Sequence, residues 1–329
     1  MNTAETLADP TGDQRSETPG DRKAYWMFRS LEWFGMHVPR PVGLAGARLY
    51  GRLAFDRSNA ERETVCRNFA RVFGHPPDSP LVRSAARECF DLYGRYWYET
   101  FALRTMPPEE VNRRFTIDGR EHLDAAVRAG TGTVLALPHM GNWDAAGHWL
   151  CLNGYRMTAV AEELAARRVF ELFFRHRRAL GMNIVPLSAG KRVAETLVGL
   201  LAQNHAVTLV ADRDLTGRGV DVEMFGERRK LPAGPAMLSL ATGAPFSVCA
   251  VFTTKEGWHT IIGPPVGIER TGVLRADVTA LTEEMARQFE RYISSAPTDW
   301  HMFQPAWEED AGGRAPPVPD TATVDAASA

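Results

Sequence analysis

Two residues in the stretch "LALPHMGNWDAAGHWL", residues 135 to 150, could do acid–base chemistry: His139 and, five positions later, Asp144. An imidazole takes up a proton near neutral pH, and a carboxylate hydrogen-bonded to it fixes the tautomer and stabilises the imidazolium. Such a pair activates a hydroxyl or a water. The interval alone carries little weight, because 9 histidines and 40 acidic residues among 329 give about one such pair by chance. A turn that merely contains both residues is the alternative.

The setting says more than the interval. "TVLAL" reads as a strand, Pro138 ends it, and Gly141 lets the backbone turn. Asn142 is a good N-cap, which puts Asp144 in the first helical turn, where the helix dipole favours its charge. Ligands of open α/β sheets sit beyond the carboxyl ends of the strands, which is where His139 is expected. The chain contains no GxSxG nucleophile elbow and no P-loop, and in "GTGTVL" the glycines precede the strand instead of following it. With no activated serine or cysteine evident, a base acting directly on the acceptor is simpler than a covalent acyl-enzyme.

Three other clusters could complete a site. "FFRHRRALG" carries Arg175, Arg177 and Arg178, which could bind a phosphate or form a solvated basic face, the preferred reading for Arg175 and Arg178. "VADRDL" sets Asp212, Arg213 and Asp214 at another strand end. "TDWHMFQPAW" gathers Trp300, His301, Gln304 and Trp307, mostly as packing with one or two polar groups turned inward.

The elements that must position these residues follow from the apolar period. Residues 24 to 116 read as successive helices: Gly43 to Phe55, Ser58 to Phe73, and Ser79 to Leu103. From Thr131 short apolar runs ("GTVLALP", "MTAVA", "NIVPL", "AVTLVAD", "FSVCAVFTT") alternate with helical stretches near 142–152, 165–180, 192–203 and 236–241. "WHTIIGPPV" adds a strand, and Val278 to Ser294 a final helix. The expected fold class is α/β: a helical N-terminal section followed by a mostly parallel central sheet flanked by helices.

One domain over residues 24–309 is expected, with 1–22 and 311–329 disordered: the first is polar and acidic, and the second is rich in Pro, Ala, Gly and Thr. The first stretch lacks the charged and apolar regions of a signal peptide. A net charge of −2 gives no global attraction to nucleic acid or an anionic membrane. The 4 cysteines stand far apart, with no metal-ligand spacing, and suit a reducing cytoplasm. "AYWMFRSLEWFGMHV", residues 24 to 38, puts Met27, Leu31, Phe34 and Val38 on one helical face beside Trp26 and Trp33, with Arg29, Ser30 and Glu32 opposite. It is too interrupted to span a membrane. An interfacial helix and an ordinary core-facing helix both fit.

In order, "LPHMGNWDAAG", "VAEEL", "FRHRRALGM", "LVADRDL", "MFGERRKLPAGPAMLSLATGAP" and "DWHMFQ" resemble the actinobacterial phosphatidylinositol mannoside acyltransferases, within the bacterial lipid A lauroyl/myristoyl acyltransferases. The resemblance covers most of residues 24 to 307. It implies an acyl-CoA-dependent O-acyltransferase without metal or other cofactor, peripheral to the cytoplasmic face of the plasma membrane. The implied donor is palmitoyl-CoA and the implied acceptor a mannose hydroxyl of a glycolipid.

The family's His-x-x-x-x-Asp motif matches His139 and Asp144, its helix arginine matches Arg177, and its strand-end acid falls around Asp212. Arg213 and Gln304 are carried as substrate-binding residues. The N–H groups around Gly141, Asn142 and Trp143 are candidate oxyanion donors. The N-terminal helix would face an anionic membrane surface. One departure is Glu163, where family members usually have arginine in "AERL"; it leaves open a different lipid or specialised-metabolite acceptor. A non-catalytic lipid-binding relative and a thioesterase are further alternatives.

Overall fold

The structure, a computed structural model, describes residues 17–164, 166–187 and 191–311. The expectations for 1–16 and 312–329 lie outside the described residues. Four long helices open the fold: α1 (Pro19–His37), α2 (Arg40–Arg57), α3 (Asn59–Phe73) and α4 (Pro80–Ala102). A short α5 (Pro108–Arg114), β1 (Phe115–Asp118) and α6 (Arg120–Ala129) lead into the alternating part. There follow β2 (Thr133–Leu137), α7 (Trp143–Leu152), β3 (Met157–Ala161), α8 (Arg167–Ala179), β4 (Asn183–Pro186), α9 (Lys191–Ala202) and β5 (Ala206–Val210). The chain then forms the hairpin β6 (Val220–Met224) and β7 (Glu227–Leu231), α10 (Gly234–Thr242), β8 (Phe246–Thr253), β9 (Trp258–Ile262) and α11 (Leu274–Ser295).

Seven strands make one sheet in the order β1-β9-β8-β2-β5-β3-β4. Only the β8–β9 pairing is antiparallel. The expected α/β class, with a helical N-terminal section and a mostly parallel sheet, is what forms. β2 lies near the centre and is buried along its whole length, as expected for a strand covered on both faces. Val134 and Ala136 join one core cluster with residues of α3, α4, α9, α10 and α11. Leu135 and Leu137 face a second cluster that includes α7. That two-residue period makes β2 a rigid platform for whatever follows Leu137.

α1 begins five residues before Ala24. Thr18 Oγ1 accepts the Asp21 N–H at 3.1 Å, and the Thr18 N–H donates to Asp21 Oδ2 at 2.9 Å. This reciprocal cap starts the helix inside the stretch expected to be disordered. The packing of α1 also differs from its apolar stripe. Its inward face is Phe28, Glu32 and Gly35, while Trp26 and Trp33 stand 63% and 61% exposed. Glu32, expected on the polar side, is buried because Arg104 meets it at 3.0 Å and Arg29 also pairs with it. α2 and α4 approach closely through glycine: a Cβ on Gly51 would lie 2.4 Å from the Phe90 carbonyl, and one on Gly94 2.3 Å from that of Ala47. This contact fixes α4, which supplies one wall of the site.

Candidate active site

The chain leaves β2 at Leu137, passes Pro138 and reaches His139. β5 runs parallel beside β2 with Leu137 level with Val210. Two residues further on, that register sets His139 level with Asp212, and the two side chains meet. Asp212 Oδ1 accepts a hydrogen bond from His139 Nδ1 at 2.5 Å, and Oδ2 accepts the His139 main-chain N–H at 2.9 Å and Trp300 Nε1–H at 2.8 Å. A carboxylate can only accept, so the proton of the neutral imidazole sits on Nδ1 and Nε2 is left basic. Asp212 is fully buried. Burial alone would push its acidity the other way, but His139 and the converging hydrogen bonds bring its pKa down to about 2.

Asp144 is not the partner of His139. Gly141 turns the chain with φ of +55°, and a Cβ there would lie 2.3 Å from the Val251 carbonyl. Asn142 then caps α7, its Oδ1 accepting the Ala145 N–H at 2.9 Å. The helix so started aims Asp144 at α4 and α8. Arg177 Nε donates to Asp144 Oδ1 at 2.7 Å, Nη2 to Oδ2 at 3.3 Å, and the Tyr96 hydroxyl to Oδ2 at 2.9 Å. Burial opposes ionisation of Asp144, yet Arg177 and Tyr96 hold its pKa below the ordinary value. The His-x-x-x-x-Asp interval thus leads to two separate contacts: His139 pairs with Asp212 and Asp144 with Arg177, so the expected contact between His139 and Asp144 does not form.

A cavity of about 230 Å³ opens beside His139. Trp143, Arg177, Arg213 and Gln304, the expected substrate-binding residues, are among those that line it. Asn142 is 1% exposed and acts as the cap, and Asp212 lies behind the imidazole. Arg175 and Arg178 are exposed, in keeping with a solvated face. Of the expected oxyanion donors, the Gly141 N–H is already committed to the Asp299 carbonyl at 3.0 Å. That leaves the N–H groups of Asn142 and Trp143 at the first turn of α7.

Sequence reasoning missed part of the wall. Tyr93, Tyr96 and Trp97 of α4 give it an aromatic side, and Phe170, Phe173 and Phe174 of α8 extend it. The run "RYWYETF" carried that signal. Glu162, not Glu163, lines the cavity, and it pairs with Arg213. His301 also reaches the cavity: its N–H donates to the His139 carbonyl at 2.7 Å, and its buried Nε2 has no partner among the described residues. Burial, then the nearby His139, push its pKa down to about 3, so His301 stays neutral.

An apolar cavity with an oriented imidazole at its edge suits transfer of a greasy group to a hydroxyl. The model for the bacterial lipid A biosynthesis acyltransferases matches residues 17–309. The chain belongs to that family. It is an acyltransferase. A phosphatidylinositol mannoside acyltransferase of Mycobacterium tuberculosis (strain CDC 1551 / Oshkosh) is 38% identical over 303 residues, 90% of each chain. One from Mycolicibacterium smegmatis is 39% identical over 270 residues, 81% of this chain and 84% of the relative. Among the described residues of this acyltransferase, no helix is long and apolar enough to cross a membrane.

Proposed function

We propose that this acyltransferase moves a long fatty acyl chain, palmitoyl by preference, from acyl-CoA to a hydroxyl of a phosphatidylinositol mannoside or similar glycolipid. The observation that carries the mechanism is the Asp212 clamp on His139 Nδ1, which leaves Nε2 as the free base beside the cavity. The acceptor hydroxyl gives its proton to Nε2 as its oxygen attacks the thioester carbon. Asp212 stabilises the imidazolium so formed, and the Asn142 and Trp143 N–H groups receive the oxyanion. The tetrahedral intermediate collapses by breaking the C–S bond, and the departing thiolate takes the proton back from His139. No acyl-enzyme is formed. The Tyr93, Tyr96, Trp97 and Phe173 walls receive the acyl chain or the apolar faces of the acceptor sugar, while Arg177, Arg213 and Gln304 meet polar parts of the substrates.

The acceptor class is supported by the activity for which the relatives are named. The proposed site of work is the cytoplasmic face of the plasma membrane; peripheral contact with a membrane surface is supported by the exposed Trp26 and Trp33 of α1 and by Val42, Leu49 and Leu53 of α2. The test incubates the protein with palmitoyl-CoA, with and without a glycolipid extract, and follows free thiol and acylated lipid. Thiol release that requires the extract is expected; equal release without it means hydrolysis and overturns transfer. His139→Ala should lower turnover about 10³-fold or more with the melting temperature near wild type. Unchanged turnover would remove His139 from the mechanism.

A further inference from the structure

The hairpin β6–β7 stands apart from the main sheet, and its turn passes through Phe225 and Gly226, both with positive φ. Its inward face carries Val222, Met224 and Leu231, all buried, and one cation among them, Arg229, 2% exposed. Nothing on that face calls for a charge. Isolated buried charge is expensive, and an apolar side chain of similar size is often as stable or more so. Among the described residues no carboxylate lies within salt-bridge distance of Arg229. Instead, Nη2 donates to the main-chain carbonyl of Asp212, Nη1 has only Met224 Sδ at 3.7 Å, and Nε is unpartnered. The guanidinium carbon lies 4.9 Å from the centre of the Trp307 ring, which Arg71 also approaches at 4.6 Å.

These contacts converge on one residue. The Asp212 carboxylate is held by His139 and Trp300, and its carbonyl is held by Arg229. We propose that Arg229 is a positioning residue for the base: it anchors the end of β5 from behind, and its charge limits how tightly Asp212 holds a proton on His139. An ionised carboxylate alone favours the imidazolium, and an imidazole already protonated cannot accept the acceptor's proton. A buried cation behind that carboxylate opposes this pull. The inference rests on His139 being the base paired with Asp212.

The other charged or titratable groups around this line do not replace Arg229. His139 is faced by Asp212, by the buried His301 and, across the cavity, by Arg177, which is paired with Asp144, and by Arg213, which is paired with Glu162. Asp212 is faced by His139, by the uncharged Trp300 indole and by Arg229. Arg71, across Trp307, is already paired with Glu227 and Asp310. Arg229 is therefore the one cation among the described residues that contacts Asp212 without a carboxylate of its own.

Two substitutions separate charge from packing. Arg229→Met keeps much of the volume and drops the charge, and Arg229→Lys keeps the charge. The titration of the His139 imidazole is followed by NMR on histidine-labelled protein, with the signal assigned by its loss in His139→Gln. This readout does not depend on turnover, so it stands even if the acyl-transfer reading fails. Arg229→Met should raise the His139 titration midpoint by about one pH unit, and Arg229→Lys should leave it within about 0.3 unit of wild type. In acyl transfer, the acid limb of the kcat/KM profile should move by the same amounts. An unmoved midpoint in Arg229→Met, or an equal displacement in both variants, overturns the proposal. If only one variant folds, a displaced midpoint in Met or an undisplaced one in Lys supports it, and the reverse overturns it.

Discussion

Asp144 and Asp212 are both buried carboxylates, both follow β-strands by a few residues, and both are ionised against the cost of burial. Their partners differ in kind. Asp144 is gripped by Arg177, a guanidinium that keeps its proton throughout the accessible pH range. Asp212 is gripped by His139, an imidazole that can take up a proton and give it back. A carboxylate facing a permanent cation can only hold elements together, here α7 to α8 and, through Tyr96, to α4. One facing an imidazole can support proton transfer. On the proposed mechanism, one acidic residue serves architecture and one serves chemistry, about a single cavity.

The sharpest way to break this division is to neutralise each carboxylate in turn. Asp212→Asn should lower kcat by about 10³–10⁴-fold, because the amide can present its N–H to Nδ1 and favour the wrong tautomer. Its melting temperature should fall far less than its activity. Asp144→Asn should do the opposite. It leaves the half-buried Arg177 without its carboxylate and should cost about 3–5 kcal/mol in denaturant unfolding, with turnover per folded molecule much nearer wild type. Pairing Asp144→Leu with Arg177→Met should recover most of that stability. If Asp144→Asn stays stable yet loses turnover as Asp212→Asn does, the division is wrong.

A pH series sharpens the same comparison, because each carboxylate has a buried neutral histidine nearby. His176, close to Asp144, is pushed down to about 4 by burial, and His301, against His139, to about 3. Both titrate near 6.5 when unfolded. Their stabilities are therefore full above that value and are lost as pH falls through it towards 4 and 3. At pH 5 each costs about 2 kcal/mol relative to pH 8. Asp299, raised to about 6 by burial, returns about 1 kcal/mol over the same interval. The combined loss from these three groups is about 2–3 kcal/mol, read as the change in unfolding midpoint between pH 8 and 5 that His176→Phe and His301→Phe each reduce. His176→Phe should remove about half of the histidine contribution. Asp212, held near 2, gives stability that is full above about 4 and lost below it, so it leaves this window untouched.

Much of this was legible from local pattern. The period of "TVLAL", Pro138, Gly141 and the Asn142 cap place His139 at a strand end and start α7 where it starts. The pairing of Asp144 was not legible, because an interval of five across a glycine turn does not say which way the helix aims. Register supplies what spacing lacks: once β2 and β5 are parallel neighbours with Leu137 level with Val210, His139 and Asp212 must lie side by side. That pairing is long-range, with β3 and β4 formed between the two strands in the chain, so no local window contains it. β1 and the hairpin β6–β7 were missed for related reasons. "FTID" is too short to show a period, and "ERRKL" hides its alternation because Arg229 sits where an apolar residue would mark the inward face. Arg213 and Gln304 line the cavity, as does Glu162, which the sequence did not single out.

The smallest expected effect tests the boundary between the two carboxylates most finely. Tyr96 belongs to both regions: its hydroxyl donates to Asp144 Oδ2, and its ring forms part of the cavity wall 4.5 Å from the Trp143 ring centre. Tyr96→Phe removes one hydrogen bond from the Asp144–Arg177 pair and keeps the ring. A hydrogen bond to an ionised group is worth about 1.5–3 kcal/mol, part of which Arg177 retains by staying bound. Stability should therefore fall by about 1–2 kcal/mol. Turnover should change by less than about threefold, with the acid limb of its pH profile unmoved, because Asp144 is not bonded to the base. A displaced limb in Tyr96→Phe would mean that the state of Asp144 reaches His139 through Trp143, whose ring stands 5.6 Å from the imidazole. The two carboxylates would then form one proton-transfer network, and the architectural role of Asp144 would have to be given up.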